Sequence, residues 1–230
     1  REEFIKFRKI PVMVGGSGLY IKAIIDDLDK GPGEDSKFRR NIEDDIKKNG
    51  PKKHYAKLLE IDRDYALKIS ENDSRRTIRA LEVFHLSGVT FSQLQKAWSR
   101  KTAGNVTFIG LDRDRCLLYQ DIEKRVENMF DRGLIKEVES LVEKGYKDSL
   151  SLRQAVGYKE VIAYIENKID FDKCKDEVKK NSRRLAKKQM TWFSRDTRIN
   201  WIRVDNYANM LDLIIDTFKV INRESGNEKD

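Results

Sequence analysis

The chain has 230 residues, enough to bury a sizeable core in one large domain or two small ones. Charged residues make up 37% and the net charge is +8, which favours a polyanionic partner, nucleic acid first, or else reflects a lysine-rich soluble surface. No apolar run approaches the ~18 residues of a membrane span, no signal peptide is visible, and Cys116 and Cys174 stand alone, which argues against a zinc site and fits a reducing cytoplasm.

The opening "REEFIKFRK" reads as the tail of a helix, which predicts that the protein begins upstream. "KIPVMVGG" (9–16) is an apolar run bounded by Pro11 and glycines and predicts a buried parallel strand. A helix is predicted from Ser17 or Gly18 to about Leu28, with Leu19, Ala23 and Leu28 near one face. "DKGPGEDS" (29–36) is turn chemistry and a subdomain boundary. Residues 37–70 predict charged helices in which Leu58, Leu59 and Ile61 supply little core. "NDSRRTIRALEVFHLSG" (72–88) predicts a helix with a polar N-cap and Gly88 as its stop. Ser92 with Gln95 offers a capping box after it.

"NVTFIGL" (105–111) predicts a second strand. A helix over about 113–131 carries Leu118, Ile122, Val126 and Met129, and Gly133 breaks it. Another helix runs from Leu134 to Gly145, and a loop then leads to a helix near 158–166. A long basic helix over 172–196, a third strand at 199–205 and a helix over 208–221 complete the pattern. Three strands among many helices predict an α/β core with helical additions.

Five segments carry residues suited to chemistry. In "VMVGGSGLYIKA" the glycine turn lacks the GxxxxGKS/T ending of a P-loop. It remains open to a phosphate at the helix N-terminus, or to a turn that needs glycine for its backbone angles. Arg75, Arg76 and Arg79 cluster at a helix start, against the helix dipole. An anionic ligand accounts for that, as does a solvated face with Arg79 paired to Glu82. The stripe Leu118, Ile122, Arg125, Met129 places Arg125 at the edge of a buried face. There it either pairs with Asp121 or faces a pocket, where its fork suits pyrophosphate.

The segment 179–198 is dense in lysine and arginine and ends on Trp192 and Phe193. Such cations neutralise phosphates and such rings stack on unpaired bases. The alternative is a surface helix with Val178, Leu185 and Trp192 in the core, and both hold if different faces serve them. "RQAVGYKE" (153–160) places hydrogen-bonding groups and the Tyr158 ring around Gly157. His54 and His85 read as structural, no Ser/His/Asp triad is present, and no carboxylate stands out as a general base.

In order, "KIPVMVGGSGLYIKAIIDDL", "ISENDSRRTIRALEVFHLSG", "IGLDRDRCLLYQDIEKRVENMFDRGLIKEVESLVEKGY", "RQAVGYKEVIAYI" and "RRLAKKQMTWFSRD" resemble the bacterial tRNA dimethylallyltransferases, or tRNA isopentenyl transferases. The resemblance implies transfer of the dimethylallyl group of dimethylallyl diphosphate to N6 of the adenosine 3′ of the anticodon, in tRNAs reading codons that begin with U. Mg²⁺ assists and pyrophosphate leaves. It implies a cytoplasmic, monomeric protein with a P-loop-NTPase-like parallel-sheet core, incomplete here, a helical insertion and a helical C-terminal part. The divisions are 1–34 (core), 35–71 (insertion) and 72–230 (core continuation and C-terminal helices).

By the same resemblance, Arg125 contacts the diphosphate. Ser17, standing for a threonine of the family's GGTGLY, touches tRNA. So do Arg75, Arg76 and Arg79, then Gln154, Gly157, Tyr158 and Lys159, and then Arg184, Lys187, Lys188, Gln189, Trp192 and Arg195. No metal ligand is assigned within this chain. The family's P-loop and general-base segment have no counterpart here, which predicts that the chain as given is inactive by itself. The competing readings are a non-catalytic tRNA-binding module of the same fold and, on fold alone, a P-loop ATPase or nucleotide kinase.

Overall fold

The computed structural model describes residues 11–26, 31–98 and 106–224. The chain divides into two compact units, Arg1–Val106 and Thr107–Asp230.

The first unit holds α1 (Gly18–Ile25), α2 (Ser36–Asn49), α3 (Lys52–Ile61), α4 (Arg63–Ala66), α5 (Ser74–Ser87) and α6 (Phe91–Trp98). Asp35 starts α2 by accepting the Lys37 and Phe38 amides at 3.0 and 2.9 Å, and Lys47 and Lys48 complement the dipole at its end. Gly50, at φ 79°, then turns the chain so that Pro51 can open α3. Asp62 ends α3 and is buried, because both of its oxygens are used. Oδ1 accepts the Tyr65 amide at 3.2 Å and Oδ2 accepts the Ser92 amide at 2.8 Å, tying α6 to the α3–α4 corner.

The core of this unit is Ile42, Leu58, Tyr65, Ala66, Ile78, Ala80 and Leu81, drawn from α2 to α5. Leu58 is wholly buried, so the 37–70 segment supplies more core than its charge suggested. Asp73 caps α5 and Gly88, in the left-handed region, stops it as predicted. The capping pair of α6 lies two residues earlier than predicted: Gln93 donates its amide to the Thr90 hydroxyl at 3.3 Å, and the Thr90 amide donates to Gln93 Oε1 at 3.0 Å. Ser92 is buried instead and gives its amide to Asp62.

The strand predicted over 9–16 does not form in its described part, residues 11–16, where Val12 and Val14 are exposed. A strand exists by its ladder, and among the described residues nothing pairs with this one. The glycine turn does lead into α1, but its glycines are not in the left-handed region. The backbone-angle explanation for them therefore falls away. The far end of the predicted helix, Leu28, lies outside the described residues.

The second unit opens with β1 (Phe108–Asp112) and continues through α7 (Arg115–Asp131), α8 (Leu134–Glu143), α9 (Leu150–Gln154), α10 (Tyr158–Ile165) and α11 (Phe171–Phe193). It closes with β2 (Ile199–Arg203) and α12 (Met210–Glu224). Two strands, not three, are present among the described residues. They pair in parallel from Phe108↔Ile199 to Asp112↔Arg203. The α/β class read from the sequence holds. Gly110 is required inside β1, because a Cβ there would come within 2.6 Å of the Trp201 ring. At the carboxyl ends of the strands Arg203 joins Asp112 at 3.3 Å and Asp205 at 3.6 Å.

The core of the second unit is Leu134, Val138, Val161 and Cys174, lined by Met129, Phe130, Tyr158 and Ile162. Gly133, at φ 93°, separates α7 from α8 as predicted, and α9 is an unpredicted short helix within the loop. Cys174 is fully buried, and burial pushes its thiol up to about 11, whereas Cys116 is exposed. In native protein at neutral pH, Ellman's reagent is therefore expected to label one thiol promptly and the second only on unfolding. Prompt labelling of both would mean that the Cys174 face of α11 opens in the native state.

Candidate nucleic-acid interface

The candidate interface is built on α11. Its amino-terminal half lies against α7, and Lys175, Lys179, Lys180 and Arg183 in it are ion-paired. Glu127 takes Lys175 and also Lys179 (2.6 Å), Glu123 takes Arg183 at 2.7 Å, and Glu177 takes Lys180 at 2.6 Å. Cys174 and Val178 fill the core beneath. One turn later the pattern changes. Lys187, Lys188 and Arg195 are exposed and have no acidic partner among the described residues, and Arg184 donates only to Asn181 Oδ1, at 3.3 Å. Uncompensated cations crowded on one helix end favour a polyanion, because binding replaces their mutual repulsion with charge-assisted hydrogen bonds.

Leu185 and Trp192, read from the sequence as core on one alternative, are 45% and 37% exposed. They continue the Cys174–Val178 face at helical spacing but, unlike Cys174 and Val178, are not buried. Trp192 stacks edge-on against Phe193 (centroids 5.1 Å apart) and keeps part of its ring in solvent beside the free cations. Gln189 is half-buried on the same face.

The loop at Gly157 meets this helix. Gly157 has φ 100° and is buried against Met129 and Leu134. Its amide donates to Glu160 Oε2 at 2.8 Å, and Glu160 Oε1 accepts from Asn181 Nδ2 at 2.8 Å. Tyr158 donates its hydroxyl to Glu137 at 2.5 Å, and that bond holds the phenol above its ordinary range. Lys159 and Gln154 are exposed. Gly157, Tyr158, Lys159 and Arg184 are thus brought together through Glu160 and Asn181. Sequence reading did not single out those two, since nothing local marks either as buried or paired.

Arg125 requires a correction. It is exposed, and Val126 takes the buried position on α7. One residue is a rotation of about 100° on a helix, so a stripe that tolerates Arg125 or Val126 equally well in spacing separates them fully in burial. The Asp121 pairing is also absent, because Asp121 pairs with Arg113 at 3.0 Å. Arg125 has no ionic partner among the described residues.

In the first unit Arg75 and Arg76 are exposed at the start of α5, with Arg76 3.3 Å from Asp73. Arg79 is occupied. It donates to Glu82 (2.5 Å) and to the carbonyls of Gly33 and Pro32 (both 2.9 Å). Glu82, wholly buried, also accepts two bonds from Arg39 and the Asp35 amide. Burial pushes the Glu82 carboxyl up, but the bonds from Arg39, Arg79 and Asp35 outweigh it and hold it low. This ion-pair cluster keeps its strength above the ordinary carboxylate range and loses it as pH falls through the depressed value.

Of the two outcomes left open for Arg79, the Glu82 pair is the one formed. Ser17 is exposed, precedes α1 and makes no side-chain capping bond. The histidines are structural. His54 meets Asp45 at 2.6 Å and His85 stacks on Phe38.

The family model for IPP transferase matches residues 1–196. The chain belongs to the IPP transferase family. A tRNA dimethylallyltransferase of Oceanobacillus iheyensis is 38% identical over 198 residues, covering 86% of this chain and 63% of its own length. One of Carboxydothermus hydrogenoformans is 43% identical over 195 residues, covering 84% and 62%. The chain thus spans somewhat under two thirds of the length of those relatives. The crystal structure of the full-length tRNA isopentenylpyrophosphate transferase from Bacillus halodurans superposes with a TM-score of 0.65 at 32% identity, over 97% of this chain and 69% of that one. A eukaryotic dimethylallyltransferase acting on tRNA superposes at 0.70 and 22% identity, over 93% and 57%, a likeness of fold alone.

No helix among the described residues is long and apolar enough to cross a membrane. Among the same residues no group of three or more histidine, cysteine or carboxylate side chains is arranged to hold a metal ion.

Proposed function

We propose that the protein to which this chain belongs transfers the dimethylallyl group of dimethylallyl diphosphate to N6 of the adenosine 3′ of the anticodon, in tRNAs reading codons that begin with U. The observation that carries the reading is the uncompensated basic end of α11, with Trp192 exposed among its cations and the Gly157–Lys159 loop locked beside it. The names of the relatives, tRNA dimethylallyltransferases, supply the reaction class.

In that reaction the C–O bond to the diphosphate breaks, the bond from N6 to the allylic carbon forms, and N6 loses a proton to a base. An adenine in a stacked loop has to be turned out of the stack first. Arg125, free of internal partners, supplies positive charge to the departing diphosphate. Arg75 and Arg76, Gln154 and Lys159, and Lys187, Lys188 and Arg195 meet RNA phosphates and sugars, and the Trp192 ring stacks on an unpaired base. We place the Mg²⁺ with the diphosphate, whose oxygens are its ordinary ligands. A monomer acting in the cytoplasm completes the proposal.

The test is direct. Full-length protein, dimethylallyl diphosphate, Mg²⁺ and an anticodon stem-loop with adenosine 3′ of the anticodon are mixed, and the RNA is weighed by mass spectrometry. A gain of one dimethylallyl group is expected. Tight RNA binding without that gain would favour the non-catalytic tRNA-binding module instead. The double variant Lys187→Ala, Lys188→Ala is expected to weaken stem-loop binding and to lower the slope of log affinity against log salt by up to about two, as each lost phosphate contact removes about one. An unchanged slope would move the RNA off this end of α11.

A further inference from the structure

Glu160 and Asn181 join two segments that are 21 residues apart and that both face the proposed RNA. Glu160 is 5% exposed, yet it is a carboxylate. Its oxygens are divided between the two segments: Oε2 takes the Gly157 amide and Oε1 takes Asn181 Nδ2, each at 2.8 Å, with Lys159 Nζ at 3.4 Å. Asn181 passes the connection on by accepting from Arg184.

Burying a carboxylate is costly unless it is hydrogen-bonded, and an apolar residue would fill the same space with less desolvation. What the polar junction adds is direction. It fixes the orientation of Gly157, a residue at φ 100° whose neighbours Tyr158 and Lys159 depend on that backbone. It also fixes the loop against the turn of α11 that carries Arg184 and leads to Lys187 and Lys188. Two contact elements held in fixed relation engage one ligand together, and the gain is lost when their relation is loosened.

We propose that the Glu160–Asn181 hydrogen bond is a positioning device for RNA binding. It touches no RNA itself and holds the 154–159 loop in register with the basic end of α11. The inference rests on the RNA-binding reading above.

The experiment uses the full-length protein and a fluorescent anticodon stem-loop, with affinity measured across a range of salt and folding followed by circular dichroism. Glu160→Gln makes the chain more positive, so charge alone predicts tighter binding. Loss of register predicts weaker binding, by about tenfold. Asn181→Asp sets two carboxylates face to face and is expected to weaken binding at least as much. The exchanged pair, Glu160→Gln with Asn181→Asp, restores a donor opposite an acceptor at the parent's net charge, and is expected to return affinity to within about threefold of the parent. Asn181→Leu, neutral and of similar volume, is expected to weaken binding about tenfold without changing the salt slope, because no phosphate contact is removed.

Parent-like affinity in folded Glu160→Gln and Asn181→Leu, whatever their melting temperatures, would reduce the bond to a structural one and overturn the proposal. So would a folded exchanged pair that stays weak. If Glu160→Gln or Asn181→Asp does not fold, the exchanged pair and Asn181→Leu still decide the matter. A parent protein that does not bind the stem-loop would instead sink the functional reading, which separates the two failures.

Discussion

Replacing Arg125 with alanine is expected to slow dimethylallyl transfer by about a hundredfold or more while leaving stem-loop affinity within about twofold of the parent. As the C–O bond breaks, negative charge accumulates on the diphosphate, and removing one donor that stabilises developing charge in an active site costs about 10²–10³ in rate. Arg125 is suited to that role because it is uncommitted. Asp121, one helical turn before it, is held by Arg113, and no carboxylate among the described residues pairs with Arg125. The guanidinium is therefore free to take two phosphate oxygens without first breaking an internal pair. Single-turnover transfer in the full-length protein, followed by RNA mass with saturating diphosphate, measures the rate, and anisotropy measures RNA affinity separately. Arg125→Lys is expected to recover part of the loss, since it returns the charge without the bidentate fork. A collapse of RNA affinity with an unchanged single-turnover rate would make Arg125 an RNA contact and remove it from the diphosphate.

The second large effect is on stability. Leu58→Ala is expected to cost about 2–5 kcal/mol in the unfolding of the first unit. Leu58 is fully buried among Ile42, Tyr65, Ala66, Ile78, Ala80 and Leu81, where helices α2 to α5 meet. Truncation loses the transfer free energy of the side chain and leaves a void that this close packing cannot fill. Leu67→Ala is the control. Leu67 is 68% exposed, and its loss is expected to change stability by no more than about 0.5 kcal/mol. Urea unfolding, with hydrogen exchange reporting on α3 and α5 separately from the second unit, reads both variants. Equal, small effects would mean that the first unit is not held together by this core.

Much of the helical pattern was legible because its signals are local. Asp73 and Gly88 bracket α5, and Gly133 in the left-handed region divides α7 from α8. Capping bonds and positive φ need only a few neighbouring residues, so they survive any tertiary arrangement. The run at 11–16 was misread for the opposite reason: its apolar residues suit a strand, but strand formation depends on a partner elsewhere. Arg125 and Val126 show a limit of periodicity. Both fit a helical stripe in spacing, and only the packing of α7 on α11 decides which of them is buried.

By itself the sequence determined the helix-rich α/β class, the basic balance, the family resemblance and the segments proposed to meet RNA. Composition, caps and spacing are properties of the chain alone. Only the tertiary structure decided which charges are spent and which are free. It buries Glu82 and draws Arg79 and Arg39 onto it. It matches Lys175, Lys179 and Arg183 to acids on α7. It leaves Lys187, Lys188 and Arg195 without partners among the described residues, and it places Glu160 between Gly157 and Asn181. The reason is that the strength of an ion pair or a buried hydrogen bond is set by distance and desolvation, and both arise only when elements distant in sequence pack together.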